Sequence, residues 1–394
     1  MKRHIKKILS SVISKQYGLP GKWKYQPPPG VRLVDVRTIE ELAEHAEDWN
    51  ELFRQTDKLS PMLSYQWMNA FFQNLVEPPE RWLCLFAYEN DRIIGIFPLV
   101  ASYSYRFMKY SLLLFKLPFH LAHTSGTDCI TLPGRDDIID VFLDYLNHIP
   151  SVFPCFSFKH VPEHYPSIKY FSRESHKMCV VRKPADFEDF IPVQESAEKY
   201  VAGLSGKFRR NLNKASRDLE KLQDVKFRFC ENTRSVQENT ERFLETEDRC
   251  WKGEQQTSIK NYQSSARMFE MAAEMLSVEG MMIFNFLETG DKTIAAQYAM
   301  RANRTMYILK MAYDEEYASY SPGNVLMLRV IEEACRSSEF DEVNLISCPP
   351  ILDKWNVQKR PLYHKIVLPE IPVLSRLLTR IIQSGKVHNF DIPR

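Results

Sequence analysis

The sequence lacks the features that mark several large classes of protein. None of its eight cysteines forms a C-x-x-C pair, so a zinc site or a redox pair has little support. No uninterrupted apolar run approaches the roughly 20 residues that a membrane-spanning helix needs. No small-residue cleavage site follows the basic amino terminus, which argues against a secretory signal. Together these absences predict a cytoplasmic protein.

Several catalytic signatures are missing as well. The chain has no Walker loop, no G-x-G-x-x-G, no G-x-S-x-G and no H-E-x-x-H. Phosphoryl transfer, nicotinamide chemistry and serine or zinc hydrolysis therefore lose support. The histidines lack the spacing of metal ligands, and we predict no metal site. The 52 basic and 50 acidic side chains give a net charge of +2, which predicts no DNA partner.

The composition is that of an ordinary globular protein. Of its 394 residues 44% are hydrophobic and 26% are charged, and the length favours two or three domains. Residues 1–24 nevertheless contain seven basic side chains and no acid: Lys2, Arg3, Lys6, Lys7, Lys15, Lys22 and Lys24. With an amphipathic stripe at residues 374–382, this basic segment suggests peripheral contact with an anionic membrane. The alternative is that residues 374–382 pack on the protein's own core.

The two halves of the chain repeat one order of elements. Each has helices first, then a strand, a short polar turn and a second strand, with the turns at residues 89–91 and 288–291. We interpret this as one α/β (α+β) fold used twice. The predicted domains are a basic tail and proline-rich linker at 1–30, an N-terminal domain at 31–185, a C-terminal domain at 186–370 and an amphipathic tail at 371–394.

A polar loop joins a predicted strand at residues 305–313 to a helix that is predicted to start at Pro322. Ser321 is a reasonable N-cap, and proline at the first helical position needs no amide hydrogen. Gly323 and Asn324 follow, where the unpaired N–H groups of a helix start suit an anion such as a diphosphate. An ordinary Ser-Pro helix cap is the alternative.

Two polar residues fall inside predicted central strands. Strict alternation places Lys310 on the same face as Met306 and Ile308. A buried lysine is costly unless it is paired or lines a cleft, and Gln297 in the neighbouring strand poses the same problem. Each is either a functional side chain or one that is satisfied at the end of the sheet.

A predicted helix at residues 207–222 contains clustered cations. Lys207, Arg209 and Arg210 lie outside its apolar stripe, where they suit the phosphates of a cofactor, a nucleotide-linked substrate, RNA or lipid. A solvated helix face is the alternative.

A long helix predicted over residues 236–251 ends in a second charged segment. Carboxylates such as Glu247 can receive a proton from an amine nucleophile, and Trp251 and Lys252 follow directly. The alternative is a plain helix end that is stopped by Gly253.

Taken together, these segments resemble the GNAT-fold acyltransferases of the CelD-like type, which are relatives of the Fem-type aminoacyltransferases. The resemblance rests on K-F-R-R-N-L at 207–212, W-K-G at 251–253, I-A-A-Q-Y at 294–298, and Y-D at 313–314 leading to S-P-G at 321–323. It implies two tandem GNAT-like lobes, each a mixed sheet flanked by helices, the N-terminal one degenerate. It also implies that an acyl-CoA, such as acetyl-CoA, lies between two diverging strands, with its diphosphate at Ser321, Pro322, Gly323 and Asn324.

The activity implied by the resemblance is transfer of an acyl group, acetyl above all, from acyl-CoA to an amine. The acceptor is a small-molecule or nucleotide-linked sugar, amino acid or peptide precursor, in envelope or exopolysaccharide biosynthesis. The predicted catalytic residues are Lys310, Asp314, Glu247 and Tyr313, and the predicted substrate-binding residues are Lys207, Arg209, Arg210, Gln297, Trp251 and Lys252. Two alternatives stay open: tRNA-dependent aminoacyl transfer of the Fem type, and a non-catalytic accessory protein of polysaccharide biosynthesis.

Overall fold

The computed structural model describes residues 25–56, 59–77, 80–104, 112–116, 128–148, 154–170, 178–231, 233–346 and 350–369. The basic segment 1–24 and the predicted amphipathic helix near 374–382 lie outside these ranges. Among the helices that the structure describes, none combines the length and the apolar character needed to cross a membrane.

The helices of the described ranges follow the 3.6-residue apolar periodicity of the sequence. They are α1 (Ile39–Glu44), α2 (Ala46–Gln55), α3 (Tyr65–Leu75), α4 (Ile138–Asn147), α5 (Pro166–Tyr170), α6 (Ala197–Ala202), α7 (Gly206–Leu219), α8 (Val236–Asp248), α9 (Trp251–Glu254), α10 (Gln263–Val278) and α11 (Pro322–Ser337).

The strands of the described ranges form one continuous mixed sheet. They are β1 (Val31–Val36), β2 (Arg81–Glu89), β3 (Arg92–Ser104), β4 (Leu112–Lys116), β5 (Ile130–Thr131), β6 (Pro154–Pro162), β7 (Met178–Pro192), β8 (Val225–Cys230), β9 (Met282–Thr289), β10 (Lys292–Ala302), β11 (Thr305–Tyr313), β12 (Glu342–Asn344) and β13 (Gln358–Pro369). Their order is β1-β2-β3-β4-β6-β13-β7-β12-β11-β10-β9-β8, with β5 paired to β3.

This order has the same pattern from either end, which confirms the predicted α/β fold with two related lobes. In each lobe an antiparallel hairpin, β2–β3 or β9–β10, leads to a strand with a parallel neighbour. The parallel pairs are β4 with β6 and β11 with β12. Both predicted polar turns close these hairpins in left-handed backbone conformations, which suit two-residue turns: φ is 49° at Asn90, 58° at Asp91 and 57° at Gly290.

The lobes join through strands that the sequence did not reveal. Strand β13 pairs with β6 of the N-terminal lobe and with β7, and β7 pairs in turn with β12 of the C-terminal lobe. The predicted domain boundary between residues 185 and 186 therefore falls inside β7. The four-part division of the chain stays a prediction.

Helices cover both faces of the sheet. On one face α3 of the N-terminal lobe packs on α10 of the C-terminal lobe, where the rings of Trp67 and Phe269 meet edge to face with centroids 6.0 Å apart. This face also buries Tyr298, Tyr307 and Leu309. The other face packs α7 and α11 over Met306, Ile308 and Ala295, among others. The two faces of β11 thus look into different cores.

Candidate active site

Strands β11 and β12 diverge in the C-terminal lobe. They pair in parallel only from Thr305 to Tyr307, opposite Glu342–Asn344. Beyond Tyr307, residues 308–313 pair with β10 alone among the described residues. The chain after β12 turns towards β7 instead, because the Leu345 amide donates to the Asp189 carbonyl. Within the described ranges, one edge of β11 therefore has no partner strand over six residues.

A strained turn holds the two strands apart. Ile346 has φ of 63°, a left-handed conformation that is a genuine outlier for a β-branched residue. The buried Asn344 side chain stabilises this turn, since its Oδ1 accepts the Ile346 amide at 2.7 Å. Backbone strain of this kind is concentrated at functional sites.

A bulge in β11 lies where the strands separate. Tyr298 of β10 is opposite Lys310, whereas the next residue, Ala299, is opposite Ile308. Leu309 is thus the extra residue, and it interrupts the alternation of side chains. The expectation that Lys310 shares a face with Met306 and Ile308 is wrong, because the bulge turns Lys310 to the face of α8.

On that face the Lys310 amine lies near Glu247 and Lys252. Lys310 is partly buried, and it has no hydrogen-bond or ion-pair partner among the described residues. Burial, reinforced by the positive charge of Lys252 and partly offset by Glu247, lowers the pKa of Lys310 to about 8. About a tenth of this amine is therefore uncharged at pH 7, and about half at pH 8, far more than for an ordinary lysine.

Glu247 is buried, with 1% of its surface exposed, and both of its carboxylate oxygens are occupied. Oε1 accepts from Lys252 Nζ at 2.7 Å, and Oε2 accepts from the Ile259 amide at 2.8 Å. A carboxylate with these two partners has a fixed position. Glu247 therefore holds Lys252 beside Lys310.

The helix predicted over residues 236–251 is interrupted, which corrects that prediction. Helix α8 ends at Asp248, and the separate turn α9 starts at Trp251. Gly253 permits this break, because a Cβ there would lie 1.8 Å from the Asp248 carbonyl oxygen. The break directs Lys252 back to Glu247 and leaves the Trp251 side chain 48% exposed.

Asp314 is engaged in ion pairs at the end of β11. It accepts from Arg249 Nε at 2.9 Å and lies 3.2 Å from Lys292 Nζ. Its Oδ1 also accepts the Glu316 amide at 3.0 Å, so Asp314 caps the 3-10 turn that follows. These contacts favour a positioning role for Asp314. Arg249 was missed from the sequence, because a charged residue at a helix end resembles a solvated one.

The start of α11 offers fewer donors than its sequence suggests. Ser321 adopts a left-handed conformation with φ of 51° and makes no side-chain cap. The amides of Asn324 and Val325 both donate to the Ser321 carbonyl. Among the described residues this leaves the Gly323 amide without a partner, although Gly323 is buried and a Cβ there would lie 3.4 Å from the Tyr313 ring. Burial, with help from Glu315, raises the pKa of Tyr313, which keeps its hydroxyl a donor.

The structure does not bring Gln297 together with Lys310. Gln297 is completely buried and accepts from Asn285 Nδ2 at 3.0 Å, while its own amide nitrogen lies 3.4 Å from the Met311 sulfur. The same nitrogen lies 3.8 Å from the sulfur of Met327 in α11, which places Gln297 on the opposite face of the sheet, under α11. Gln297 is a satisfied core side chain in this arrangement.

The cations of α7 also lie on the α11 side of the sheet. Phe208 anchors this helix edge to face on Trp355, with ring centroids 5.0 Å apart. Arg209 donates to the Ala202 carbonyl, while Lys207 and Arg210 are exposed and have no carboxylate partner in the described ranges. The structure separates this basic surface from the Lys310 site.

Other kinds of site are not evident in the part of the chain that the structure describes. No group of three or more His, Cys, Asp or Glu side chains is arranged there to hold a metal ion. Segment 347–349, which follows the turn at Ile346, lies outside the described residues.

Comparisons with known proteins agree with this geometry. Residues 206–346 match the acetyltransferase (GNAT) domain family. No curated protein matches the sequence. Solved structures of similar fold include FemX, with a TM-score of 0.57 and 9% identity over 88% of this chain and 100% of that one. They also include the L-PGS from Bacillus licheniformis, with a TM-score of 0.51 and 11% identity over 86% and 96%. At these identities the likeness shows the fold alone.

Proposed function

We propose that this protein, whose residues 206–346 match the GNAT acetyltransferase domain family, transfers an acyl group from a coenzyme A thioester to a primary amine. The family match makes the chain an N-acyltransferase; the acyl-CoA donor, the amine acceptor and the residue roles are our proposal. The observation that carries it is the open edge of β11 over residues 308–313, beside an unpaired lysine.

The open edge of β11 supplies what the donor needs. A strand edge presents free N–H and C=O groups, which can pair with the amide-containing arm of coenzyme A. A free N–H beside the bulge can donate to the thioester oxygen as negative charge develops there. At the end of the strand, the Gly323 amide and the Tyr313 hydroxyl are the donors for the diphosphate. Ser321, Pro322 and Asn324 shape this helix start.

Lys310 is the proposed proton acceptor. Attack on a thioester requires a neutral amine, and the acceptor amine must lose a proton. A group whose pKa is about 8 is well matched to that task near neutral pH. Glu247 and Lys252 are positioning residues: Glu247 holds Lys252 beside Lys310, and the Lys252 charge acts with burial to favour the neutral form of the Lys310 amine. Asp314 positions the loop that follows Tyr313.

The exposed Trp251 ring is the proposed contact for the acceptor. An exposed aromatic ring next to a reaction centre can stack on a sugar or on the apolar part of an amino acid or peptide. We extend the proposal to an amine of a sugar, amino acid or peptide precursor, in envelope or polysaccharide biosynthesis. The CelD-like subtype, a cytoplasmic location and membrane-peripheral contact are parts of the same proposal.

Calorimetry and turnover together test this function. The full-length protein should bind acetyl-CoA, and its turnover on a panel of amino sugars, amino acids and peptides should fall by about 100-fold or more in Lys310→Met. Lys214→Met, which changes an exposed lysine of α7 paired with Asp218, is the matched control. Absence of acyl-CoA binding to the folded wild-type protein would refute the proposal and favour a non-catalytic accessory role.

Two exposed cations of α7, Lys207 and Arg210, have no carboxylate partner among the described residues, and they favour a second candidate, Fem-type transfer from charged tRNA. Lys207 and Arg210 could neutralise RNA phosphates, in which case binding weakens steeply as salt rises. Gln297 and Arg209 have partners within the protein, which weakens their predicted roles as substrate ligands. Filter binding of tRNA at low and high salt tests this candidate. The wild type should bind at low salt and lose affinity as salt rises, and the Lys207→Ala/Arg210→Ala double variant should bind more weakly. No binding at low salt removes this candidate.

A further inference from the structure

We propose that Lys310 is itself an acyl acceptor, so that the domain acylates its own site when no amine substrate is bound. The inference rests on the proposed acyl-CoA donor and adds a modification site with a regulatory consequence. Two geometric facts support it: Lys310 belongs to the open stretch of β11, three residues beyond the last residue paired with β12, and no described group occupies its amine.

The reaction requires nothing beyond the donor. The neutral Lys310 amine attacks the thioester carbonyl, a C–N bond forms and the C–S bond breaks. Coenzyme A leaves as a thiolate, and the extra proton on the Lys310 nitrogen passes to that thiolate. The products are Nε-acyl-lysine and coenzyme A, with no change in oxidation state.

The neighbouring lysines are poorer nucleophiles, although they lie in the same part of the lobe. Lys252 is held 2.7 Å from the Glu247 carboxylate, so its amine is engaged in an ion pair and is not free to attack. Lys292 lies 3.2 Å from Asp314, and its contacts with Glu316 and Asp314 raise its pKa. The lowered pKa of Lys310, about 8, agrees with this order of reactivity. Selectivity for Lys310 therefore follows from the ion pairs of its neighbours.

Acylation of Lys310 would inactivate the site. An acyl-lysine cannot accept a proton, and it no longer presents an amine to the cleft. An amide is also easier to bury than an ammonium group, so the modified side chain should remain in the site. Free acceptor amine competes with Lys310 for the same acyl group. The enzyme would thus be active only where acceptor is plentiful.

Mass spectrometry of the full-length protein tests this inference. The protein is incubated with acetyl-CoA at pH 8 without an amine, and acetylation is quantified at Lys310, Lys252 and the exposed Lys214. We expect Lys310 to be acetylated at least about tenfold faster than the other two, since a pKa near 8 leaves far more neutral amine than an ordinary lysine has. The rate should saturate with acetyl-CoA, and desulfo-CoA should suppress it.

A companion variant checks the cause of the selectivity. Glu247→Gln keeps an acceptor for the Ile259 amide but releases Lys252 from its ion pair. The rate of Lys252 acetylation should therefore rise several-fold in this variant, while loss of the Glu247 charge should not slow the acetylation of Lys310. Turnover of the wild type should fall in proportion to the acetylated fraction of Lys310.

Two failures are distinguishable. If acetyl-CoA binds by calorimetry but labels all three lysines equally, or in linear proportion to its concentration, self-acylation is wrong and the proposed transferase stands. If acetyl-CoA does not bind, both proposals fail.

Discussion

The two lobes share a strand order but differ at the place where a donor would bind. In the N-terminal lobe, β4 pairs with its parallel neighbour β6 over Leu113–Lys116, four of its five residues. In the C-terminal lobe, β11 pairs with β12 over three of its nine residues. The closed pair leaves no comparable edge for a ligand in the described residues. A duplicated fold thus offers an open strand edge in one copy, while the other copy completes the sheet.

The largest effect that follows from this contrast concerns Lys310. Lys310→Met should lower turnover by about 100-fold or more, the range expected for loss of a proton acceptor, while the melting temperature stays within a few degrees. Steady-state kinetics on an identified amine measures it. The control in the other lobe is Tyr88→Phe, which removes a hydroxyl bonded to His45 and Asp48 and should leave turnover unchanged. A comparable loss in that control would end the functional distinction between the lobes.

The join between the lobes should give the largest loss of stability. Arg360 of β13 forms ion pairs with Glu188 of β7 and with Glu342 of β12, the latter at 2.8 Å. Arg360→Met leaves the buried Glu188 without its cation, so the free energy of unfolding should fall by about 3 kcal/mol.

Denaturant titration measures this loss, and the lobes should still unfold in one transition. The control, Arg304→Met, removes a fully exposed pair with Asp341 and should change the free energy of unfolding far less than Arg360→Met. Two separate transitions in the Arg360→Met variant would mean that the lobes are independent.

One glycine in each lobe can be used to test how tightly a helix packs against the sheet. A Cβ at Gly95 would lie 2.7 Å from Ile138 Cγ2, so Gly95→Ala should cost about 1–3 kcal/mol through overpacking against α4. A Cβ at Gly323 would lie 3.4 Å from Tyr313 Cδ1, so Gly323→Ala should change stability by less than about 1 kcal/mol. Thermal unfolding of both variants measures the two losses of stability. Equal losses would mean that α11 is packed as tightly as α4.

The smallest effect is a shift in pH dependence. Turnover should rise with pH and level off above about 8, because the neutral form of Lys310 predominates above its pKa. Lys252→Met removes a repelling cation and frees the Glu247 carboxylate, and both changes raise the pKa of Lys310. The acid limb of the pH–rate profile should therefore move up by about one unit. An unmoved limb in Lys252→Met would mean that another group titrates.

The sequence predicted the C-terminal lobe better than it predicted the join. Periodicity gave the hairpins and α11, because those elements follow regular alternation and have clear turn residues. It failed at β13, where Pro361 argues against a central strand. The structure accommodates that proline because pairing with β6 begins one residue later, at Leu362. The break after Asp248 was missed for a similar reason, since the close approach of Gly253 to a carbonyl is a long-range property.

The candidate site shows the same limit. Lys310, Glu247 and Lys252 were selected from the sequence, yet their meeting depends on a bulge at Leu309 that strand alternation does not reveal. Gln297 was selected for the same polarity as Lys310, and the unbroken part of the register sends it to the other face, against Asn285. Residue type identified both side chains as candidates, but the register shift at Leu309 determines that Lys310 and not Gln297 faces Glu247 and Lys252.

The central place of β13 has a consequence for how the molecule comes to be folded. The N-terminal lobe is synthesised first, but the strand that flanks its β6 is made only when residues 358–369 emerge. The edge of β6 that pairs with β13 therefore stays unpaired until the whole second lobe has been translated. Pairings between residues so distant along the chain are slow to form, so we expect the nascent N-terminal half to depend on chaperones until the last strand arrives.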